Sequence, residues 1–166
     1  MWTRRVLITL RRQGRPCPES PEDLADMAAA CTAPGCKFMI KGVMTEDEAR
    51  IAADAGVDAI VVSNHGGRVL DHTPGTAEVL PEIVKAVRGR VDVLADGGIR
   101  DGVDILKMLA LGAQAVLVGR PFSTAAVGGG RDGVAAYIED LRAGLTAAMT
   151  LTGCADISSV GPHILA

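Results

Sequence analysis

The feature that most limits what this chain can become is a rhythm. From residue 20 onward, segments with helical apolar spacing alternate with short apolar runs of strand length, "FMI", "DAIVV", "DVLAD" and "AVLVG". Strands separated by helix-length segments pair in parallel, so the pattern predicts βα units and an α/β fold. Composition agrees. With one Trp, one Tyr and two Phe in 166 residues, the core must be built from Ala, Val, Ile, Leu and Met, the residues of helices packed on a parallel sheet.

Helix punctuation sharpens the reading. Ser20 reads as an N-cap with Pro21 at the first helical position, and "APG" ends that helix before "FMI". Thr45 and Glu48 form a capping box at the start of "TEDEARIAADAG", which stops at Gly56. "TAEVLPEIVKAVRG" and "DGVDILKMLALG" supply the next two helices. Two stretches, "EARIAADAGVDAIVVSNHG" and "DILKMLALGAQAVLVGRPF", resemble each other as helix, glycine stop and Ala-centred strand, the mark of one βα unit used twice. After the last strand, "GVAAYIEDLRAGLTAAMTLTG" is a long amphipathic helix, and the tail from Ala155 is expected to be irregular.

The formal charge of −3 conceals an asymmetry: the first fifteen residues hold five Arg and no acid, which leaves −8 for the remainder. An acidic body is a poor partner for nucleic acid. The basic start reads as an irregular or partly ordered segment over 1–19, with one domain over 20–166. Its "VLITL" is too short for a signal-peptide core or a membrane span, so the cytoplasm is the default location. An organelle-targeting segment would also be Arg-rich and acid-free, but it would carry Ser. Cys17, Cys31, Cys36 and Cys154 match no zinc spacing, so no metal site is expected, although Cys31 and Cys36 flank a helix end and could meet in space.

The odd residues fall at strand ends. Lys41 and Gly42 follow the first strand, "SNHGGR" (Ser63 to Arg68) the second, "DGGIR" (Asp96 to Arg100) the third and "GRPF" (Gly119 to Phe122) the fourth. That rim of a parallel α/β fold is where active sites are built, because loops converge there and helix N-termini point free N–H groups inward. Gly97, Gly98 and Gly119 would let bare backbone approach an anion, and Arg100 and Arg120 would add charge-assisted hydrogen bonds, which together make a phosphate site. Strand-ending glycines and solvated arginines would explain one such pair more easily than two at the same depth.

A lone rim histidine usually has no chemistry. His65, between Asn64 and two glycines with Arg68 close behind, is nevertheless suited to be a general base, since its ordinary pKa lies close to working pH. Arg68 can grip a carboxylate through two parallel N–H bonds, and Lys41 can stabilise charge that develops in a reaction. Asp96 either caps the next helix or orients His65 or Arg68, and Asp101 has the better position for the cap. Asp71, His72 and Thr73 read as a solvated turn, and His163 as a bystander.

With these residues in place, "IKGV", "DAIVVSNHGGRVLD", "LADGGIRDGVDILKMLALGAQAVLVGRPF" and "LTAAMTLTGC" resemble the FMN-dependent α-hydroxy acid dehydrogenase/oxidase family, which includes glycolate oxidase, lactate oxidase and mandelate dehydrogenase. The resemblance implies that His65 is the catalytic base, that His65 and Arg68 bind the substrate, and that Lys41 contacts the flavin ring. It places the FMN phosphate at Gly98, Arg100, Gly119 and Arg120, with Ser63, Asp96 and Gly97 completing the cofactor-binding set. The implied activity is oxidation of an L-2-hydroxy acid to a 2-oxo acid, with electrons passed to FMN and then to oxygen or another acceptor.

The implied fold is the C-terminal half of a (β/α)8 TIM barrel, strands five to eight with the closing helix. The first half ordinarily supplies part of the flavin pocket and tyrosines that touch substrate, whereas the sole tyrosine here, Tyr137, lies in the long final helix. Four strands leave two open edges. The expected partners, besides a small 2-hydroxy acid, are therefore a second copy of the chain or a separate N-terminal half-barrel. Two other functions stand beside the leading one: a non-catalytic flavin- or phosphate-binding half-barrel subunit, and an isomerase of the type 2 isopentenyl diphosphate kind, which also uses FMN. The pairing of base and carboxylate clamp in "SNHGGR" fits a hydroxy acid better than a diphosphate ester.

Overall fold

A computed structural model describes residues 20–32 and 35–165, so the basic segment expected over 1–19 lies outside the described residues. The elements follow in the order α1 (Pro21–Thr32), β1 (Met39–Val43), α2 (Glu46–Asp54), β2 (Ala59–Val62), α3 (Thr76–Val87), β3 (Asp92–Asp96), α4 (Gly102–Ala110), β4 (Ala115–Leu117) and α5 (Arg120–Leu151). The strands form one parallel sheet in the order β1-β2-β3-β4, the βα layer that the sequence predicts.

Side-chain oxygens start the helices where the sequence places them. Ser20 Oγ accepts from the Asp23 N–H at 3.1 Å, Thr45 and Glu48 make a reciprocal capping box, and Asp101 Oδ1 accepts from the N–H groups of Val103 and Asp104 at 2.9 Å. Such caps satisfy N–H groups that have no partner inside the helix. Left-handed glycines, Gly56 (φ 79°) and Gly112 (φ 106°), turn α2 and α4 toward their strands.

Each strand then divides its residues by parity. Ile60, Val62, Val93 and Ala95, with Ile40 and Val116, face the helices and join Leu80, Ile83 and Val87 of α3 in the main core. The alternate residues share the other face, where the register aligns Lys41 with Val61, Val61 with Leu94, and Leu94 with Ala115. On that face the central-strand residues Ala59 and Val61 are buried, whereas Lys41 and Ala115 on the outer strands are exposed.

Two boundaries differ from expectation. β1 continues through Lys41 and Gly42 to Val43, because the register slips between Lys41 and Val43 and inserts an extra residue. Gly42 (φ 108°) supplies the conformation that this bulge needs. β4 ends at Leu117, short of the expected "AVLVG", and "GRPF" already opens the next helix: α5 starts at Arg120, with Gly119 as its cap and Pro121 in its first turn. α5 is two helical segments, broken at Gly130 (φ 56°, ψ −139°), and the second contains the amphipathic helix expected from Gly133. The break reverses the chain. Phe122 and Tyr137, which a straight helix would hold about 22 Å apart, have ring centroids 4.9 Å apart. The tail beyond Ala155 contains short 3-10 turns at Ile157–Ser159 and Pro162–Ile164.

Among the described residues, Cys31, Cys36 and Cys154 are free thiols, and no group of three metal-ligating side chains converges. Cys31 and Cys36 do come together through their backbones, the Cys36 N–H donating to the Cys31 carbonyl at 3.2 Å. Among the described residues no helix is long and apolar enough to cross a membrane.

Candidate active site

The site grows from the face of the sheet turned away from the helices. Lys41 of β1, Ser63 just beyond β2 and Asp96 of β3 stand side by side there, and the polar ends of their side chains meet. Lys41 Nζ donates to Ser63 Oγ at 2.6 Å and pairs with Asp96 Oδ2 at 2.8 Å. Ser63 is fully buried, and its Oγ also accepts from the His65 N–H at 3.1 Å. One hydroxyl thus ties the end of β1 to the first residues beyond β2. Asp96 neither caps α4, which Asp101 does, nor is it seen bonded to His65 or Arg68; its partner is Lys41. Its other oxygen, Oδ1, is buried without a hydrogen-bond partner among the described residues. Native structures retain few such groups, because leaving one unpaired is costly.

Beyond Ser63 the chain takes three left-handed residues in succession, His65 (φ 56°), Gly66 (φ 68°) and Gly67 (φ 72°). Asn64 builds the turn: its Oδ1 accepts from the Gly66 N–H and its carbonyl from the Gly67 N–H, both at 3.0 Å. The left-handed backbone at a residue with a side chain costs about 1–2 kcal/mol, and it lays the His65 ring across Gly42. A Cβ on Gly42 would stand 2.8 Å from His65 Cε1, and one on Gly66 would stand 2.9 Å from Arg120 Nη2. The bulge of β1, the histidine turn and the first turn of α5 are therefore in direct contact.

The third component is the turn after β3. Gly97 (φ 97°) and Gly98 (φ 76°) take conformations that favour glycine, and a Cβ on Gly98 or Gly119 would meet nothing within 4 Å. Bare backbone faces open space at both places, the condition for close approach to an anion. A cleft of about 630 Å³ lies in front of them. Lys41, His65, Arg68, Asp96, Gly97, Gly98, Arg100, Gly119 and Arg120 all line it, so every candidate residue but one reaches the same cleft; Ser63 lies beneath it. His72 and His163 do not line it.

Four cationic side chains against one carboxylate give the cleft a strong preference for anions. Sequence reasoning missed Ser123 and Thr124, which line the cleft from the first turns of α5. Their signal was weak, because it depended on knowing that the helix begins at Arg120. The arrangement can hold a phosphate at the glycine turns, a carboxylate at Arg68 and a proton on His65. FMN, with a phosphate at one end and a redox-active ring at the other, fits that set of donors.

The fold is a parallel βα layer of the barrel kind, with a cleft lined by glycines and cationic side chains at the C-terminal ends of its strands. The chain belongs to the FMN-dependent dehydrogenase family, whose model matches residues 11–166. It is 50% identical over 123 residues to a peroxisomal (S)-2-hydroxyacid oxidase of Arabidopsis thaliana, a match that covers 74% of this chain and 34% of that protein. It is 47% identical over 129 residues to an L-lactate dehydrogenase of Caulobacter vibrioides, covering 78% of this chain and 34% of the relative.

Among solved structures, mandelate oxidase with benzoyl-formic acid superposes with a TM-score of 0.81 at 45% identity, over 86% of this chain and 42% of that one. The chain thus spans about a third of the length of the curated relatives it matches. Its four strands and helices are the expected half of a (β/α)8 barrel.

Proposed function

We propose that this chain is the base-bearing and phosphate-anchoring half of an FMN-dependent oxidoreductase that converts an L-2-hydroxy acid to the 2-oxo acid. The observation that carries the reading is the convergence of His65, Arg68 and the two glycine–arginine turns on one cleft. Arg68 holds the substrate carboxylate through parallel N–H bonds, which fixes which hydrogen faces the reacting centre. His65 accepts the hydroxyl proton as the O–H bond breaks, and the Cα hydrogen would leave with the two electrons toward the flavin. FMN, when bound, supplies the two-electron acceptor.

The N–H groups near Gly98 and Gly119, with Arg100 and Arg120, neutralise the cofactor phosphate. Lys41, held by Asp96 and Ser63, stands where it can stabilise negative charge that develops in the reaction.

The outer strands β1 and β4 are unpaired on their far sides within the described sheet. The reading therefore includes a partner, an N-terminal half-barrel or a second copy of the chain, that completes the wall of the cleft. A cytoplasmic setting is part of the proposal, and the free thiols Cys31, Cys36 and Cys154 fit a reducing compartment of that kind.

The test is a titration of the chain with FMN followed by flavin fluorescence, then anaerobic addition of glycolate, L-lactate or L-mandelate. Quenching followed by bleaching of the flavin is expected, the second step requiring the completing half. If FMN fluorescence does not change, the reading fails. Bound flavin that no acid reduces, with or without the other half, leaves only a flavin-binding subunit.

A further inference from the structure

We propose that Tyr137 is a positioning residue for the anion-binding turn: its hydroxyl sets where Arg100 and the glycines before it stand in the cleft. The inference rests on the reading of that turn as the FMN phosphate site and extends it to a residue outside the cleft.

Tyr137 donates from its hydroxyl to the Arg100 carbonyl at 2.7 Å. At the other end of the same turn, the Thr76 hydroxyl donates to the Asp96 carbonyl at 2.6 Å. The segment from Asp96 to Arg100 is thus pinned at both ends by hydroxyls from α3 and α5. The two glycines between the pins, which would otherwise be free to move, are held in one arrangement.

Tyr137 is itself held. The edge of one ring in the Phe122–Tyr137 pair meets the face of the other, with 73° between their planes. Phe122 stands two residues beyond Arg120, so this aromatic pair joins the turns that bear Arg100 and Arg120. Partial burial, and then the Asp101 and Asp104 carboxylates, push the Tyr137 phenol above its usual range, which keeps it protonated and able to donate. A second contact fixes the same junction from the side: a Cβ on Gly102, the first residue of α4, would fall 1.9 Å from the Leu145 backbone nitrogen of α5. Backbone meets backbone there, so α4 and the turn before it cannot move closer to α5. The break at Gly130 allows one helix to supply Arg120 on one side of the cleft and to brace Arg100 on the other.

If Tyr137 acts through the phosphate turn, its effect must follow the phosphate and not the flavin ring. Tyr137→Phe keeps the ring contact with Phe122 and removes only the donor. Loss of one hydrogen bond of this kind predicts an FMN dissociation constant raised roughly three- to tenfold, with riboflavin, which lacks the phosphate, bound as by the wild type. Equal weakening of both flavins would assign Tyr137 a merely structural role and overturn the proposal, as would an unchanged FMN constant.

A wild-type chain that shows no preference for FMN over riboflavin would overturn the phosphate reading itself. The role of Tyr137 is then decided without flavin, by hydrogen exchange at the amides of Gly98 to Asp101. Exchange several-fold faster in Tyr137→Phe supports the positioning role, and identical exchange removes it.

Discussion

The α2–β2 and α4–β4 units are built alike and used differently. In each, a nine-residue helix is capped by a side-chain oxygen, Thr45 or Asp101, and is turned into its strand by a left-handed glycine, Gly56 or Gly112. Beyond the strand they part. After β2, three left-handed residues throw the His65 ring across the bulge of β1; after β4, the chain passes at once into α5 and presents Gly119 and Arg120. Caps and glycine stops therefore set the scaffold, whereas the few residues past the strand set the chemistry. The two outcomes touch where Gly66 of the first unit lies against Arg120 of the second.

The sharpest way to separate the units is to remove the base. His65→Ala should slow flavin reduction by hydroxy acid about a hundred- to ten-thousandfold while leaving FMN affinity unchanged, as read by anaerobic stopped-flow absorbance beside a binding titration. Arg120→Ala should do the reverse and raise the FMN dissociation constant roughly ten- to a hundredfold, the worth of a charge-assisted hydrogen bond. If the hydroxy acid reduces the flavin normally in His65→Ala, the division of labour between the two units is wrong.

Gly66→Ala probes the contact between them. It adds a Cβ at φ 68° and 2.9 Å from Arg120 Nη2, so reduction rate and FMN affinity should fall together, each by several-fold. A change confined to one of them would show that the two turns act independently. The smallest effect compares the glycine stops. Gly56→Ala and Gly112→Ala each force a side chain into the left-handed region, at about 1–2 kcal/mol. The second should lose more stability in urea unfolding, because its Cβ would lie 3.0 Å from Val84 Cγ1 whereas that of Gly56 meets nothing within 4 Å.

Local chemistry made much of this molecule legible in its sequence. The capping box of Thr45 and Glu48, the Asp101 cap and the stops at Gly56 and Gly112 act within a few residues, so pattern alone locates them. The four strands followed from their apolar runs, and the cleft residues from their place at strand ends. What stayed hidden depends on register and on contacts between distant residues. Asp96 had two plausible duties on paper, but its partner Lys41 sits two strands away and is brought there by strand pairing. The start of α5 at Arg120 was hidden because Gly and Pro usually signal a loop, although Pro is also at home in a first helical turn. Tyr137 looked like an ordinary helix residue: the run Gly128 to Gly130 signals a break, but not that the chain folds back there and carries Tyr137 to Arg100.

The meeting of α4 and α5 has a consequence for how the sequence can drift. At Gly102 the obstacle to any side chain is main chain, 1.9 Å away, so no compensating change in a neighbour's side chain could make room. Gly144, facing it, has slightly more latitude, with the Gly102 nitrogen 3.2 Å from where a Cβ would stand. In a saturation mutagenesis screen, Gly102 would therefore score as intolerant as the residues of the cleft itself, for a purely steric reason and with no role in binding.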